Sequence, residues 1–360
     1  MSKLQNLGIP SIDSFKYRIP IRFLDSYDSE LADNFITINE STGEIKGDFK
    51  KQSKEYKFEG FSVYASIQKQ VRISLTDYED CLIIGLSAKV LKSRYFEGIT
   101  KKTIKLIYTT IVDAGILSCS LDMFLAGIPT DVDFKKDYSL ELEPYKVILS
   151  GCAKMTKPSS NRDKGCTVFR HKDNIGISWS VRTTNRAKTN PYLKIYHKGI
   201  ELTNKSNSFR ELYLKGVDVS DIVRIETTVK NKDHFKSLGL GLKLFTLGEI
   251  LNLGNEDLNK IISTAVNCHL LPRLKSMAFK TERIMTPTHR IYLNSMIGFF
   301  ELELSFDRVF NLMSNGLENK VTKSRFKTTL KDLYLTHVKG TVFDSKVPQI
   351  DSYYDSIGWV

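Results

Sequence analysis

Long apolar runs, paired cysteines and low-complexity tracts are all missing from this chain of 360 residues. No uncharged apolar stretch approaches the ~20 residues that a membrane-spanning helix requires, and the opening MSKLQNLGIPSIDSF has no apolar core of the signal-peptide kind. The expectation is a cytoplasmic protein in whatever cell makes it, with no membrane partner. The five cysteines, Cys81, Cys119, Cys152, Cys166 and Cys268, are odd in number, widely spread and without a C-x-x-C pair. That spacing speaks against a disulfide framework and a thiolate zinc site, and for reduced, mostly buried thiols. No Gly/Ser, Pro or Gln/Asn tract marks a long disordered region, and 41% hydrophobic with 26% charged residues is the balance of a chain that folds throughout.

Acidic residues are scarce in one place. Residues 151 to 200 hold eleven Lys and Arg against only Asp163 and Asp173, so they carry +9 of a net charge of +12. A concentration of this kind is the footprint of a nucleic-acid partner, with a merely solvated basic surface as the plain alternative. No basic amphipathic helix accompanies it, which speaks against a membrane surface.

The length exceeds one ordinary compact domain, so two domains, or one with a large extension, are expected. Alternation in SIDSFKYRIPI ending at Pro20, and the runs EGFSVYASIQKQVRISL and CLIIGLSAKVL, predict strands. TKKTIKLIYTTIVDAG spaces Ile104, Ile107, Tyr108, Ile111 and Val112 as a helical stripe closed by Gly115. Strands are then predicted at ILSCSLDMFLAG, TDVDF, CTVFRH, IGISWSV, PYLKIYHK and DIVRIETTVK. Their close spacing without intervening helices argues for antiparallel pairing. RTTNRAKTN reads as the basic loop of a hairpin. From about residue 236 the pattern turns helical, which sets a soft boundary: 1–235 with an antiparallel sheet, 236–360 helical. The class is α+β.

Three strands carry a polar face. In NPYLKIYHKGIEL, Tyr192, Lys194, Tyr196 and Lys198 share one side and Leu193, Ile195 and His197 the other. VRIETTVK sets Arg224, Glu226, Thr228 and Lys230 against Val223, Ile225, Thr227 and Val229. TDVDF sets Asp131 and Asp133 against Val132 and Phe134. Neighbouring strands with these faces aligned would gather a tyrosine, carboxylates and cations on one surface, as a metal-dependent phosphodiester nuclease requires. A tyrosine hydroxyl can attack phosphorus and store the bond as a phosphotyrosine. Hard carboxylate oxygens suit Mg²⁺ or Mn²⁺, which offsets the charge developing on the phosphate, and lysine adds a point charge.

PYLKIYHKGIEL followed about two dozen residues later by DIVRIETTVK resembles the paired motifs of rolling-circle replication initiators, the filamentous-phage gene II/X and staphylococcal plasmid proteins related to HUH-type endonucleases. IDSFKYRIPI, LSAKVL with YFEGI, and TVFRHKDNIGISWSVR are similar to upstream pieces, so the resemblance runs from about residue 12 to 250. It implies an antiparallel-sheet nuclease core with helices on one face. It also implies metal-dependent, origin-specific nicking and rejoining of one DNA strand through a 5′-phosphotyrosine, for a single-stranded DNA phage or a plasmid. Tyr196 then matches the nucleophile, Lys198 the basic residue after it, and Arg224 with Glu226 the Arg-x-Glu element. The upstream acidic element departs from the family pattern: SLDMFLA keeps Asp122 but lacks the arginine and has Ala126 at the second acidic place. The expected metal ligands are therefore Glu226, Asp131 and Asp133, with Asp122 in reserve, for Mg²⁺ or Mn²⁺. Arg182, Arg186, Lys188, Lys194 and Arg224 are the expected DNA contacts. Origin DNA is the implied partner, and a host helicase, a polymerase and a second copy of the chain are compatible with it.

Plainer readings stand beside these. Tyr196 can be a packed strand aromatic and Tyr192 a stacking platform or a core residue. His197 reads as structural, and His171 equally as a surface residue or a ligand. Glu226 can be an ion-pair partner of Arg224 or Lys198. Lys320, Lys323, Arg325, Lys327 and Lys331 read as a solvated helix face, with duplex contact as the lesser reading. The functional rivals are an origin-binding initiator that does not cut and, last, a tyrosine recombinase, whose helical Arg and His-x-x-Arg frame this chain lacks.

Overall fold

The computed structural model describes residues 6–31, 37–38, 45–46, 53–72, 78–156, 166–170, 176–181, 192–230, 232–237, 240, 242, 245–270, 286–301, 306–338 and 353–359. Its strands are β1 (Ser11–Pro20), β2 (Ser26–Tyr27), β3 (Thr37–Ile38), β4 (Ile45–Lys46), β5 (Ser53–Phe58), β6 (Phe61–Arg72), β7 (Tyr78–Ser87), β8 (Leu117–Ser118), β9 (Ile128–Ser139), β10 (Cys166–Arg170), β11 (Gly176–Val181), β12 (Tyr192–His197) and β13 (Ile222–Val229). Nine of them share one sheet in the order β10-β11-β12-β13-β9-β1-β7-β6-β5, and β2–β8 and β3–β4 are short ribbons. The pairings β1–β7, β1–β9, β5–β6, β6–β7, β10–β11 and β11–β12 are antiparallel. The fold is α+β with a large antiparallel sheet.

Two compact units divide the chain. One holds Met1–Asp137, Gly199–Val219 and Glu226–Leu258, the other Tyr138–Lys198, Ser220–Ile225 and Asn259–Val360. This differs from a single cut near residue 235, because the boundary falls inside β13: its first residues count with one unit and its last with the other.

In the first unit the alternation of β1 is kept. Phe15, Tyr17 and Ile19 are buried, and Leu86, Ile84 and Leu82 of β7 stand opposite them. The helix Ile104–Asp113 buries Ile104, Ile107 and Ile111 at helical spacing. It ends before Gly115, whose φ of +67° is cheap only for glycine. Gly127 is required for another reason: a Cβ there would lie 2.5 Å from the Tyr17 ring. The stretch ILSCSLDMFLAG is not one strand. After β8 the Ser120 side chain accepts the Met123 N–H at 3.3 Å and starts the helix Leu121–Leu125, which buries Phe124 against Tyr17 with ring centroids 5.3 Å apart. Likewise AKVL leaves the strand after Ser87 and belongs to the 3-10 segment Ala88–Glu97.

In the second unit the helix Leu142–Lys154 buries Tyr145, Ile148 and Cys152. Trp179 of β11 is fully buried, donates its Nε1–H to Thr156 Oγ1 at 3.0 Å and stacks on His269. Beyond residue 245 the described residues hold the helices Leu247–Leu251, Asn255–His269, Pro287–Glu301, Phe306–Met313 and Lys320–Leu333 and no strand. The basic side chains of the last of these are exposed. Cys81, Cys119 and Cys152 are buried free thiols and Cys268 is an exposed one. No described helix is long and apolar enough to cross a membrane.

Candidate functional site

In the first unit the polar face is built on β9. Val132 and Phe134 are wholly buried, Phe134 edge-on to Phe235, so period two turns Asp131 and Asp133 to the other side. β1 bulges against β9 between Ile12 and Ser14, which sets Ser14 opposite Asp133 and Lys16 opposite Asp131; past those pairs the register shifts again, where Tyr17 stands opposite Pro129. Ser14 Oγ donates to Asp133 Oδ2 at 2.6 Å and Thr228 Oγ1 donates to Asp133 Oδ1 at 2.5 Å. Both oxygens of Asp133 are thus engaged by hydroxyls from two other strands. Asp131 is half-buried, and among the described residues it accepts no hydrogen bond. Burial pushes its carboxyl above the usual range, while the charges of Lys230 and Lys16 act in the opposite sense. Glu226 is buried, as are all eight residues of β13.

Two groups on these elements escaped the sequence reading. Lys135 continues the β9 alternation beyond Asp133 and is buried. Its Nζ donates to Asp137 Oδ2 at 2.8 Å and to the Phe96 carbonyl at 3.1 Å, against the Tyr95 and Phe96 rings. The signal was there, since D-x-D-x-K-x-D runs through the strand. His234, in the helix Lys232–Ser237, is buried and accepts the Lys230 N–H at Nδ1 at 3.4 Å. Burial first, and then Lys230, lower its pKa to about 4. No sequence pattern announces it.

In the second unit β12 keeps the expected faces as far as Lys194, beyond which Tyr196 is buried as well as Ile195 and His197, and Lys198 is only 4% exposed. Leu193, Ile195 and His197 are buried, and the His197 ring lies 5.5 Å from that of Tyr145. Burial holds His197 below its ordinary pKa, against the pull of Asp221. On the opposite face Lys194 Nζ lies 5.1 Å from the Tyr192 ring centroid and Lys198 Nζ 5.6 Å from that of Tyr196. One correction concerns Lys198. The strand ends at His197, and Lys198 is the first residue of the helix Lys198–Lys205; it meets Tyr196 through the turn into that helix and not through strand alternation. Tyr196 itself is 7% exposed, and Gly176 of β11 stands opposite it.

Two further expectations change. Arg224 is wholly buried, so it offers no surface to a DNA strand. Asp122 is exposed on the helix Leu121–Leu125 and not on a strand. Among the described residues no three His, Cys, Asp or Glu side chains form a group suited to a metal ion. Mg²⁺ is commonly held by one or two carboxylates, the rest of its shell being water and substrate phosphate. Arg182, Arg186, Lys188 and His171 lie outside the described residues.

The fold and these faces define an α+β protein with an antiparallel sheet, carboxylates on one strand pair and a lysine-flanked tyrosine strand. No family model and no curated protein matches the chain. The chain is similar to a solved structure, the rolling circle replication initiator protein from Geobacillus stearothermophilus. The identity is 12%, the TM-score 0.32, and the match covers 76% of this chain and 89% of that one.

Proposed function

We propose that this chain nicks and rejoins one DNA strand in the manner of a rolling-circle replication initiator of a phage or plasmid, with Tyr196 as the nucleophile. The observation that carries the reading is the tyrosine face of β12, where the Lys198 ammonium lies 5.6 Å from the Tyr196 ring centroid. In the proposed step the Tyr196 hydroxyl loses its proton and its oxygen bonds to phosphorus. The bond from phosphorus to the 3′ oxygen breaks, leaving a 5′-phosphotyrosine and a free 3′-hydroxyl, and the reverse step rejoins the strand. Lys198 and Lys194 favour both the phenolate and the phosphate. Glu226 and Asp131, both of the first unit, would be the residues to hold Mg²⁺ or Mn²⁺, whose chemistry would be to offset negative charge on a phosphate. Asp133, clamped by Ser14 and Thr228, positions β9. Origin DNA is the proposed partner, in the cytoplasm.

A supercoiled plasmid carrying the chain's own origin tests this. Wild-type protein with Mg²⁺ or Mn²⁺ should give a nicked circle with protein on the 5′ end. EDTA and Tyr196→Phe should each abolish cleavage and leave DNA binding in place. A Tyr196→Phe protein that still nicks overturns the assignment. A second reading, an origin-binding initiator that does not cut, is favoured by the slight exposure of Tyr196; binding without a nick under any divalent metal would select it.

A further inference from the structure

Across the polar face of the first unit one row of residues runs through five strands: Glu55 of β5, Tyr64 of β6, Gly85 of β7, Lys16 of β1 and Asp131 of β9. Tyr64 and Lys16 are both half-buried. Between them stands Gly85, where even an added Cβ would meet nothing closer than 3.8 Å, so the strand between ring and ammonium has no side chain. A glycine inside a strand is costly and often marks a bulge, a bend or a site where a ligand or another backbone approaches closely. Lys16 Nζ lies 5.7 Å from the Tyr64 ring centroid.

The next row on the same face adds a second observation. Ser66 and Arg18 both stand opposite Ile83, two residues on from Tyr64 and Lys16. The Ser66 side chain is wholly buried, and neither its Oγ nor the buried Arg18 Nε has a hydrogen-bond partner. These buried atoms are not open to a ligand, but the half-buried ring and ammonium of the row beside them form a set that one nucleotide can satisfy: a π-face for the base and a cation for the phosphate.

The geometry points to a subsite for one unpaired nucleotide of single-stranded DNA, its base stacked on Tyr64 and its phosphate held by Lys16, in the middle of the row that runs from Asp131 to Glu55. The inference deepens the proposed function and rests on it. Exposed faces of strands carry such platforms because every base has a π-face, so stacking recognises unpaired strand without reading sequence. A plain cross-strand packing pair, the rival account, predicts no effect on DNA.

Anisotropy of a labelled oligothymidylate in EDTA, which removes metal and cutting, reads the subsite directly. Tyr64→Leu should weaken binding by about tenfold or more, while Tyr64→Phe and Tyr64→Trp stay within about twofold of wild type. Lys16→Gln should lower the slope of log affinity against log salt by about 0.7, the value for one single-strand phosphate that is no longer neutralised. Thermal melts check that each variant folds, and the Phe and Trp variants keep the test decisive should Leu unfold the strand. Tyr64→Leu binding as tightly as wild type, or Phe losing as much as Leu, overturns the subsite. The proposed function fails separately, when Tyr196→Phe still nicks; wild-type protein that binds no single-stranded DNA at all removes both.

Discussion

His234 is a residue whose charge state near neutral pH the fold controls. It is buried, its Nδ1 is engaged by the Lys230 N–H, and its pKa falls from 6.5 to about 4. A folded pKa below the unfolded one means that the stabilisation is complete above the unfolded pKa and is lost as pH falls from 6.5 toward about 4. The neutral ring therefore contributes at neutral pH an amount on the order of 3 kcal/mol that acid removes. Imidazole resonances followed by NMR should titrate with a midpoint of about 4. Wild type should lose melting temperature between about pH 7 and about pH 5 more steeply than His234→Gln. An imidazole midpoint at 6.5 would remove the argument. Asp131 runs the other way, its carboxyl raised by burial while the charges of Lys230 and Lys16 oppose the rise.

β9 shows how one strand serves two environments. Its Val132 and Phe134 side is core, while the opposite side carries first Asp131 and Asp133 and then the Lys135–Asp137 ion pair, whose side chains are 1% and 4% exposed. Buried pairs gain little over apolar substitutes of like volume, but removing one partner strands a charge. Lys135→Met should therefore cost about 3 to 5 kcal/mol in urea unfolding, and the double change Lys135→Met with Asp137→Leu should recover most of the loss. Equal losses in the single and double variants would mean that the strand needs the ions themselves. At β13 burial extends along the whole strand, as befits an interior position in the sheet order, and it explains why Arg224 cannot serve as a surface contact.

For the whole molecule, the net charge of +12 is concentrated in residues 151 to 200, which hold Lys194, Lys198, Arg182, Arg186 and Lys188. Positive charge so distributed draws a polyanion by releasing its counterions, and the release is read in the salt dependence of binding. Neutralising Arg182, Arg186 and Lys188 together should weaken DNA binding and flatten the slope by about 0.7 to 0.9 for each phosphate that these residues no longer neutralise. A slope identical to that of wild type would place DNA elsewhere on the molecule. Because this variant leaves Tyr196 and the carboxylates intact, its residual cleavage at saturating protein should approach the wild-type rate.

Local rules were enough for part of this protein. Period two set Asp131 and Asp133 opposite Val132 and Phe134, and Tyr192 and Lys194 opposite Leu193 and Ile195. A helical stripe with Gly115 behind it marked Ile104–Asp113. These are contests among neighbours in the chain, decided by alternation, helical spacing and a residue that tolerates positive φ. What the sequence alone left undecided depended on distant partners. The clamp on Asp133 joins it to residues 119 and 95 positions away, and it needs a bulge between Ile12 and Ser14 that no local pattern announces. The helix at Leu121 needed the Ser120 cap and the Tyr17 ring to outweigh a strand-like composition. Lys198 meets Tyr196 through a turn into a helix. Strand order, register and burial are settled only when the whole sheet closes, since desolvation and cross-strand contacts exist only once the partner strand is in place.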